Sequence, residues 1–490
     1  MHKKAAFQLV FGIILILIST WQVYAAQEDL DIINLHESNP PVTIITPSKI
    51  NLTSRPTILI AHGFAGSSVI MRGFALTLAH AGYTTISWDF QGHGENSSLM
   101  DPTTRANSLL QDTEAAISAT ETHYLIDTQR IAIIGHSMGS GVALSFGLNH
   151  PDTAATITIS PVNQAVTHDL PKNLLLMAGS LEPQFAANAE ELMINAGGQG
   201  GALNNGSARN LVIIPNVEHI SILFSPQAHS TARFWLDGTF GVQPGATTYT
   251  DRRILWYSLG ILGFILAANT CINLLSAPTQ IKTTFRPLWI RIAAIITGSL
   301  AATFLLWLVS LLGIKTNQLF GLLVGGYLVV WFGIAGLVSL LIVRPKITWP
   351  ESRELVKALF TFLSLWLGVG LIGHFVWLPW LLIPSRLWLV LPCSILLLPW
   401  FVSIGHASKG AKPASQLGWW IFQVTTIIIG LLLAIQLNPE LSFLFIILPL
   451  IPVMLGLHML IISPKHGIWA YSLSGALFTT WLILAVFPLQ

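Results

Sequence analysis

Cysteine is almost absent from this chain of 490 residues: there are two, Cys271 and Cys393, both inside apolar segments. No disulfide framework and no CxxC site can be built from them, so cysteine usage assigns no redox compartment. Charge is equally scarce. Lys and Arg total 24 and Asp and Glu 22, a net charge of +2, and charged residues make up 9% of the chain. There is no basic stripe with interleaved aromatics, which excludes a nucleic-acid footprint. No pair of histidines shares a helix face with a carboxylate at ligand spacing, so the pattern offers no zinc site and requires no cofactor. What is plentiful is apolar: 52% of residues are hydrophobic and 17 are Trp. Most of that bias lies after residue 253, so the chain divides into a half of soluble character and a half of membrane character.

The N-terminus has a basic start at Lys3 and Lys4, an apolar core from Ala5 to about Val23, and small residues at Ala25 and Ala26. Residues 1–26 are therefore a signal peptide or a signal anchor, and either one exports the adjoining soluble half. Residues 27–41 are polar and proline-bounded, and are expected to form a linker. From 42 to 240 short apolar runs (57–61, 84–88, 130–134, 154–159, 173–177 and 210–214) alternate with helical stretches. That alternation predicts a mostly parallel sheet with helices on both faces, whose site lies beyond the carboxyl ends of the strands. The glycine-rich stretch 197–207 falls at the opposite end and reads as a connector.

Residues 241–253 are expected to be a second linker, reaching at most roughly 45 Å. Residues 254–490 then hold about eight stretches of membrane-spanning length, near 254–275, 288–313, 318–343, 355–378, 385–405, 417–437, 441–462 and 468–488, an all-α polytopic domain. Alternate loops carry the basic residues: Lys282 and Arg286; Arg344, Lys346 and Arg353; Lys409 and Lys412; Lys465. Positive loops stay inside, which puts residues 27–253 on the extracytoplasmic side. Lys315 and Arg386 in the other loops are fewer, and Arg252 and Arg253 are a local exception. Within the spans, Arg291, Lys357 and His406 lie near ends and can snorkel. His374 and His458 lie deeper, as packed residues or as a relay or ligand site.

The chemistry is concentrated in Gly135-His136-Ser137-Met138-Gly139, directly after the apolar run ending at Ile134 and before a small-residue stretch. A G-x-S-x-G between strand and helix is a nucleophile elbow, with Gly135 and Gly139 small because the turn is tight. A serine needs a base, and the base a carboxylate. His219 comes after the strand ending near Ile214, and Glu182 after the one ending near Met177. Asp169 and Asp89 compete with Glu182, and His229, expected on a surface helix, competes with His219. Glu218 reads as a solvated neighbour. His62, His136 and His93 read as packing or hydrogen-bonding residues.

These residues, with His62-Gly63-Phe64, Asp89-Phe90-Gln91-Gly92-His93-Gly94, Gly179-Ser180-Leu181-Glu182 and Glu218-His219, make residues 42–240 resemble the α/β-hydrolase superfamily of esterases, lipases, thioesterases and some peptidases. The resemblance implies a Ser137–Glu182–His219 triad and an oxyanion hole from the N–H groups of Phe64 and Met138, with His62 and Gly63 shaping the turn. Glutamate replaces the commoner aspartate. Only about a dozen residues separate Ile159 from Lys172, where many relatives insert a helical lid. The implied activity is hydrolysis of a carboxylic ester or thioester, of a small or lipid-linked acyl substrate. A peptidase or amidase of the same fold is one alternative. A transport or envelope-assembly protein with a hydrolase-like binding domain is another.

Overall fold

The computed structural model describes residues 2–48, 55–100, 105–275, 286–377 and 386–489. Lys282, Pro379 and Pro384 lie outside them. The chain divides into two units: Ser19–Ser258 with Gly373–Pro379, and Met1–Ile18 with Leu259–Ile372 and Trp380–Gln490.

The first unit is built on eight strands: β1 (Leu30–Leu35), β2 (Val42–Pro47), β3 (Pro56–Ala61), β4 (Thr84–Trp88), β5 (Asp127–His136), β6 (Ala155–Ile159), β7 (Leu174–Gly179) and β8 (Arg209–Ile214). They form one sheet in the order β1-β2-β4-β3-β5-β6-β7-β8. Among the described residues, only the β1–β2 and β2–β4 pairs are antiparallel. The central strands β3, β4, β6 and β7 are short and buried along their whole length, the first three rich in β-branched residues and β7 in Leu, as expected for a parallel sheet covered on both sides. Helix α1 (His2–Ala25) belongs to the other unit as far as Ile18; after it, among the described residues, this unit has the helices α2 (Arg72–His80), α3 (Arg105–His123), α4 (Met138–Asn149), α5 (Pro183–Asn195) and α6 (Pro226–Phe240). The core gathers Ile58, Ile60, Phe74, Ile134, Ile157 and Met177, each stabilising the fold by about 1.5–3 kcal/mol through burial.

Three expectations about this unit need correction. The segment 27–41 is not merely a linker, because β1 lies within it and pairs with β2 from Leu30↔Pro47 to Leu35↔Val42. Its alternation is blurred because β1 is an edge strand, exposed at Asp31 and Asn34. The segment 241–253 is not a free tether. The Thr247 N–H donates to the His80 carbonyl at 2.7 Å, Arg233 donates to the Thr247 carbonyl at 3.0 Å, and the Tyr249 ring stacks on His80 at 4.4 Å. Within this segment Arg253 is buried in a two-pronged pair with Asp251, both contacts 2.8 Å, while Arg252 is exposed. Third, α6 turns Ala228, His229, Ala232 and Leu236 inward, so His229 is buried rather than on a surface helix.

The second unit contains most of α7 (Arg253–Leu275) and α10 (Ser352–Val376), with α8 (Leu288–Leu311), α9 (Gly325–Val343), α11 (Leu387–Ser408), α12 (Pro413–Leu437), α13 (Leu444–Ile447), α14 (Leu450–Ile461) and α15 (Ile468–Val486). Eight described helices are long and apolar enough to cross a membrane, α1 among them, compatible with a multi-pass membrane protein. The stretch 441–462, expected to be one span, is divided into α13 and α14. Pro449, the N-cap of α14, stands at the break, where it supplies no N–H to the helix ladder. The third span starts at Gly325 rather than 318, because residues 316–321 form a tighter turn with Phe320 at φ +59°. Small residues bring helices together: a Cβ on Gly12 of α1 would stand 2.6 Å from the Gly263 carbonyl of α7, the close approach that small residues permit between spans. His458 is buried, its Nε2–H donating to Ser474 Oγ at 2.9 Å against the Tyr471 ring.

Candidate active site

Ser137 joins β5 to α4 at φ +52°, ψ −115°, a conformation that costs a non-glycine residue about 1–3 kcal/mol. Its surroundings impose it. A Cβ on Gly135 would stand 1.9 Å from the Gly139 carbonyl, and one on Gly139 would stand 2.5 Å from the Ala61 carbonyl, so neither glycine can be replaced without moving backbone. The Ser137 N–H donates to the Ile159 carbonyl at 2.9 Å, which leaves the hydroxyl to project from the sheet end.

Ser137, Glu182 and His219 come together there. His219 Nε2 lies 3.0 Å from Ser137 Oγ, and His219 Nδ1 lies 2.9 Å from Glu182 Oε2. A carboxylate only accepts, so Nδ1 carries the proton of the neutral imidazole and Nε2 accepts from the serine hydroxyl. The other Glu182 oxygen accepts from the Gly179 N–H and from Ser160 Oγ, both at 2.6 Å. These bonds aim the buried carboxyl group at the ring. The Phe185 ring stacks on His219 at 4.2 Å, and His136 Nε2–H donates to the His219 carbonyl at 2.9 Å. Ser160 and Phe185 left no mark in the sequence, since neither belongs to a motif.

The remaining candidates fall elsewhere. Asp169 is exposed beside His168. Asp89 accepts from the N–H groups of Ser68 and Glu95 at 2.7 and 2.8 Å, tying two loops together. Glu218 is partly exposed and accepts from the N–H groups of Ile220 and Ser221 in its own loop. His229 Nε2–H donates to the Leu223 carbonyl at 2.8 Å. His93 bonds the Gln91 carbonyl through Nδ1–H and meets the rings of His62 and Phe64.

His62 has a defined structural task. Its Nε2 accepts from the Phe90 N–H at 3.1 Å and its Nδ1–H donates to the Gly63 carbonyl at 2.8 Å. The Gly66 N–H also donates to that carbonyl, at 3.2 Å. In a trans peptide the carbonyl and the next N–H point opposite ways, so these two bonds turn the Phe64 N–H away from them. Met138 opens α4, where unsatisfied N–H groups favour negative charge. Among the described residues, no helix lies between β6 and β7, and no group of three or more His, Cys, Asp or Glu side chains could hold a metal.

Burial holds His62, His136 and His229 below the ordinary imidazole range, so these rings are neutral when folded. The unfolded chain therefore binds the extra protons. Stability from these groups is complete above the unfolded imidazole value of about 6.5 and is lost as pH falls below it. Each group contributes a slope of about 1.4 kcal/mol per pH unit inside its window. The thermal midpoint of the full-length protein should fall steeply below about pH 6.5, and H229Q should flatten that fall. A midpoint independent of acidification would contradict the assignment.

Residues 53–197 match the family described as serine aminopeptidase, S33, a span that holds Ser137 and Glu182 and ends before His219. The chain is 32% identical over 115 residues to esterase YjfP of Escherichia coli (strain K12), covering 22% of this chain and 45% of that protein. It is 32% identical over 125 residues to a thermostable monoacylglycerol lipase of Bacillus sp. (strain H-257), covering 26% and 46%. A probable alcohol acetyltransferase of Cyberlindnera fabianii is 32% identical over 123 residues, covering 24% and 31%. The chain thus covers less than half the length of each of these relatives. Sheet order, elbow and matches define the class: the first unit is an α/β-hydrolase domain. The matched region is similar to esterases and lipases, and the chain carries a second, apolar helical unit beside this domain.

Proposed function

We propose that this protein is a membrane-embedded serine hydrolase that cleaves carboxylic esters or thioesters. The observation that carries the reading is the unbroken hydrogen-bonded series Ser137–His219–Glu182. His219 Nε2 takes the hydroxyl proton as Ser137 Oγ attacks the acyl carbon. The oxyanion is stabilised by the Phe64 and Met138 N–H groups, and Glu182 stabilises the imidazolium. The imidazolium returns the proton to the leaving alcohol or thiol as the C–O or C–S bond breaks. Water, deprotonated by His219, then releases the acid and regenerates the serine.

In this reading the hydrolase unit lies on the extracytoplasmic side, supported by Lys3, Lys4 and the loop-charge alternation. Its substrates are small or lipid-linked acyl compounds reaching a site with no lid helix between β6 and β7. The serine aminopeptidase family match favours one second reading, cleavage of amides by the same triad. The full-length protein in detergent, offered p-nitrophenyl esters, monoacylglycerols, phospholipids and aminoacyl p-nitroanilides, separates the two. Esters should turn over at least tenfold faster than anilides; faster anilide cleavage would establish the peptidase instead.

A further inference from the structure

The segment Gly373–Pro379 belongs to the hydrolase unit, although the chain before and after it belongs to the helical unit. Within it, Trp377 makes two hydrogen bonds to the loop after β3. Its indole N–H donates to the Ala65 carbonyl at 3.0 Å, and its own carbonyl accepts from Ser67 Oγ at 2.6 Å. Its ring packs against the core cluster that contains Ile70, Met71 and Phe74. The segment has further anchors: the Tyr257 hydroxyl donates to the Phe375 carbonyl at 3.1 Å, and the Tyr24 ring meets Phe375 edge-on at 6.4 Å. Loop-charge alternation independently assigns the end of α10 to the same side of the membrane as residues 27–253.

The loop so held needs support. Ala65 sits at φ +57°, a left-handed conformation that persists in a non-glycine residue only where neighbours impose it. The Gly63 carbonyl is held by His62 and Gly66. The far end of the same turn, Ala65 to Ser67, is held by Trp377. We propose that Trp377 is a positioning residue for the oxyanion hole. It fixes the turn that aims the Phe64 N–H, so a residue from the polytopic half completes the hydrolase site. This role rests on the hydrolase reading above. In this role the part of the chain after residue 258 supplies a structural piece of the chemistry.

W377F keeps an aromatic ring and the backbone carbonyl but loses the indole donor and part of the ring's packing; S67A removes the second bond together with the acceptor of the Val69 N–H. In the full-length protein, W377F should lower kcat for p-nitrophenyl acetate about tenfold with KM changed less than twofold, and W377F/S67A should lower it further, since a displaced donor costs turnover rather than ground-state binding. Amide hydrogen exchange across residues 62–71 should quicken in both variants while the thermal midpoint stays within a few degrees. Unchanged kcat and unchanged exchange in W377F, with an active wild type, would overturn the positioning role alone. Faster exchange with unchanged kcat would overturn it equally, since the bond would then hold the loop without serving the reaction. An inactive wild type that also fails to react with a fluorophosphonate would instead overturn the hydrolase reading, and this role with it.

Discussion

Ser137→Ala is expected to abolish fluorophosphonate labelling and to lower ester turnover by about 10⁶-fold, the scale on which a triad serine acts. The loss should be chemical rather than structural. The serine hydroxyl's partner is the His219 ring, and the backbone at 137 holds φ +52° through neighbours that alanine leaves untouched. Alanine meets the same steric cost there as serine, so the thermal midpoint should not move by more than a degree or two. Residual turnover above water is expected, because the N–H groups of Phe64 and Met138 remain and still stabilise an oxyanion. Gel-based labelling and a p-nitrophenyl ester assay on the same preparation measure both effects. Persistent labelling of the variant would place the nucleophile elsewhere.

The parts of this molecule legible in its sequence are those fixed by local rules. Strands β3 to β8 showed as apolar runs because buried parallel strands need no polar face. The elbow showed because a turn this tight admits glycine alone at 135 and 139. Strand β1 was hidden because an edge strand with Asp31 and Asn34 on its exposed face looks like a polar connector. The inward face of α6 was misjudged for a related reason: His229 is polar by type, yet its Nε2–H is satisfied by the Leu223 carbonyl, and that bond permits its burial. The break between α13 and α14 falls at Pro449, but hydropathy alone ran across it. What could not be read at all was non-local. Ser160 meets Glu182 only because β6 and β7 are neighbours in the sheet. Phe185 reaches His219 only because α5 starts where the acid sits. Trp377 meets Ala65 across more than 300 residues of chain, and no periodicity encodes such a pairing. Each arises from topology, which places distant segments side by side.

Glu182→Gln carries the second large effect, expected to be a fall of about 10⁴ in kcat near neutral pH. The carboxylate is fully engaged, accepting from Ser160 and Gly179 through one oxygen and from His219 through the other. Glutamine keeps one acceptor oxygen, which the Gly179 and Ser160 donors claim. Its amide nitrogen must then face His219 Nδ1. Two donors cannot share one bond, so the imidazole answers by carrying its proton on Nε2 instead. That proton points at Ser137 Oγ, and the ring can no longer accept the hydroxyl's proton. Because geometry and burial are nearly preserved, stability and substrate KM should change little while kcat collapses. Glu182→Asp separates charge from reach: it keeps a carboxylate that enforces the productive tautomer but shortens the side chain by one methylene. Its kcat should therefore lie between those of the wild type and the glutamine variant. Measuring kcat and KM for all three with one soluble ester, alongside the ¹⁵N shifts of the His219 ring, tests tautomer control directly. Equal kcat for the glutamine variant and the wild type would remove Glu182 from the triad.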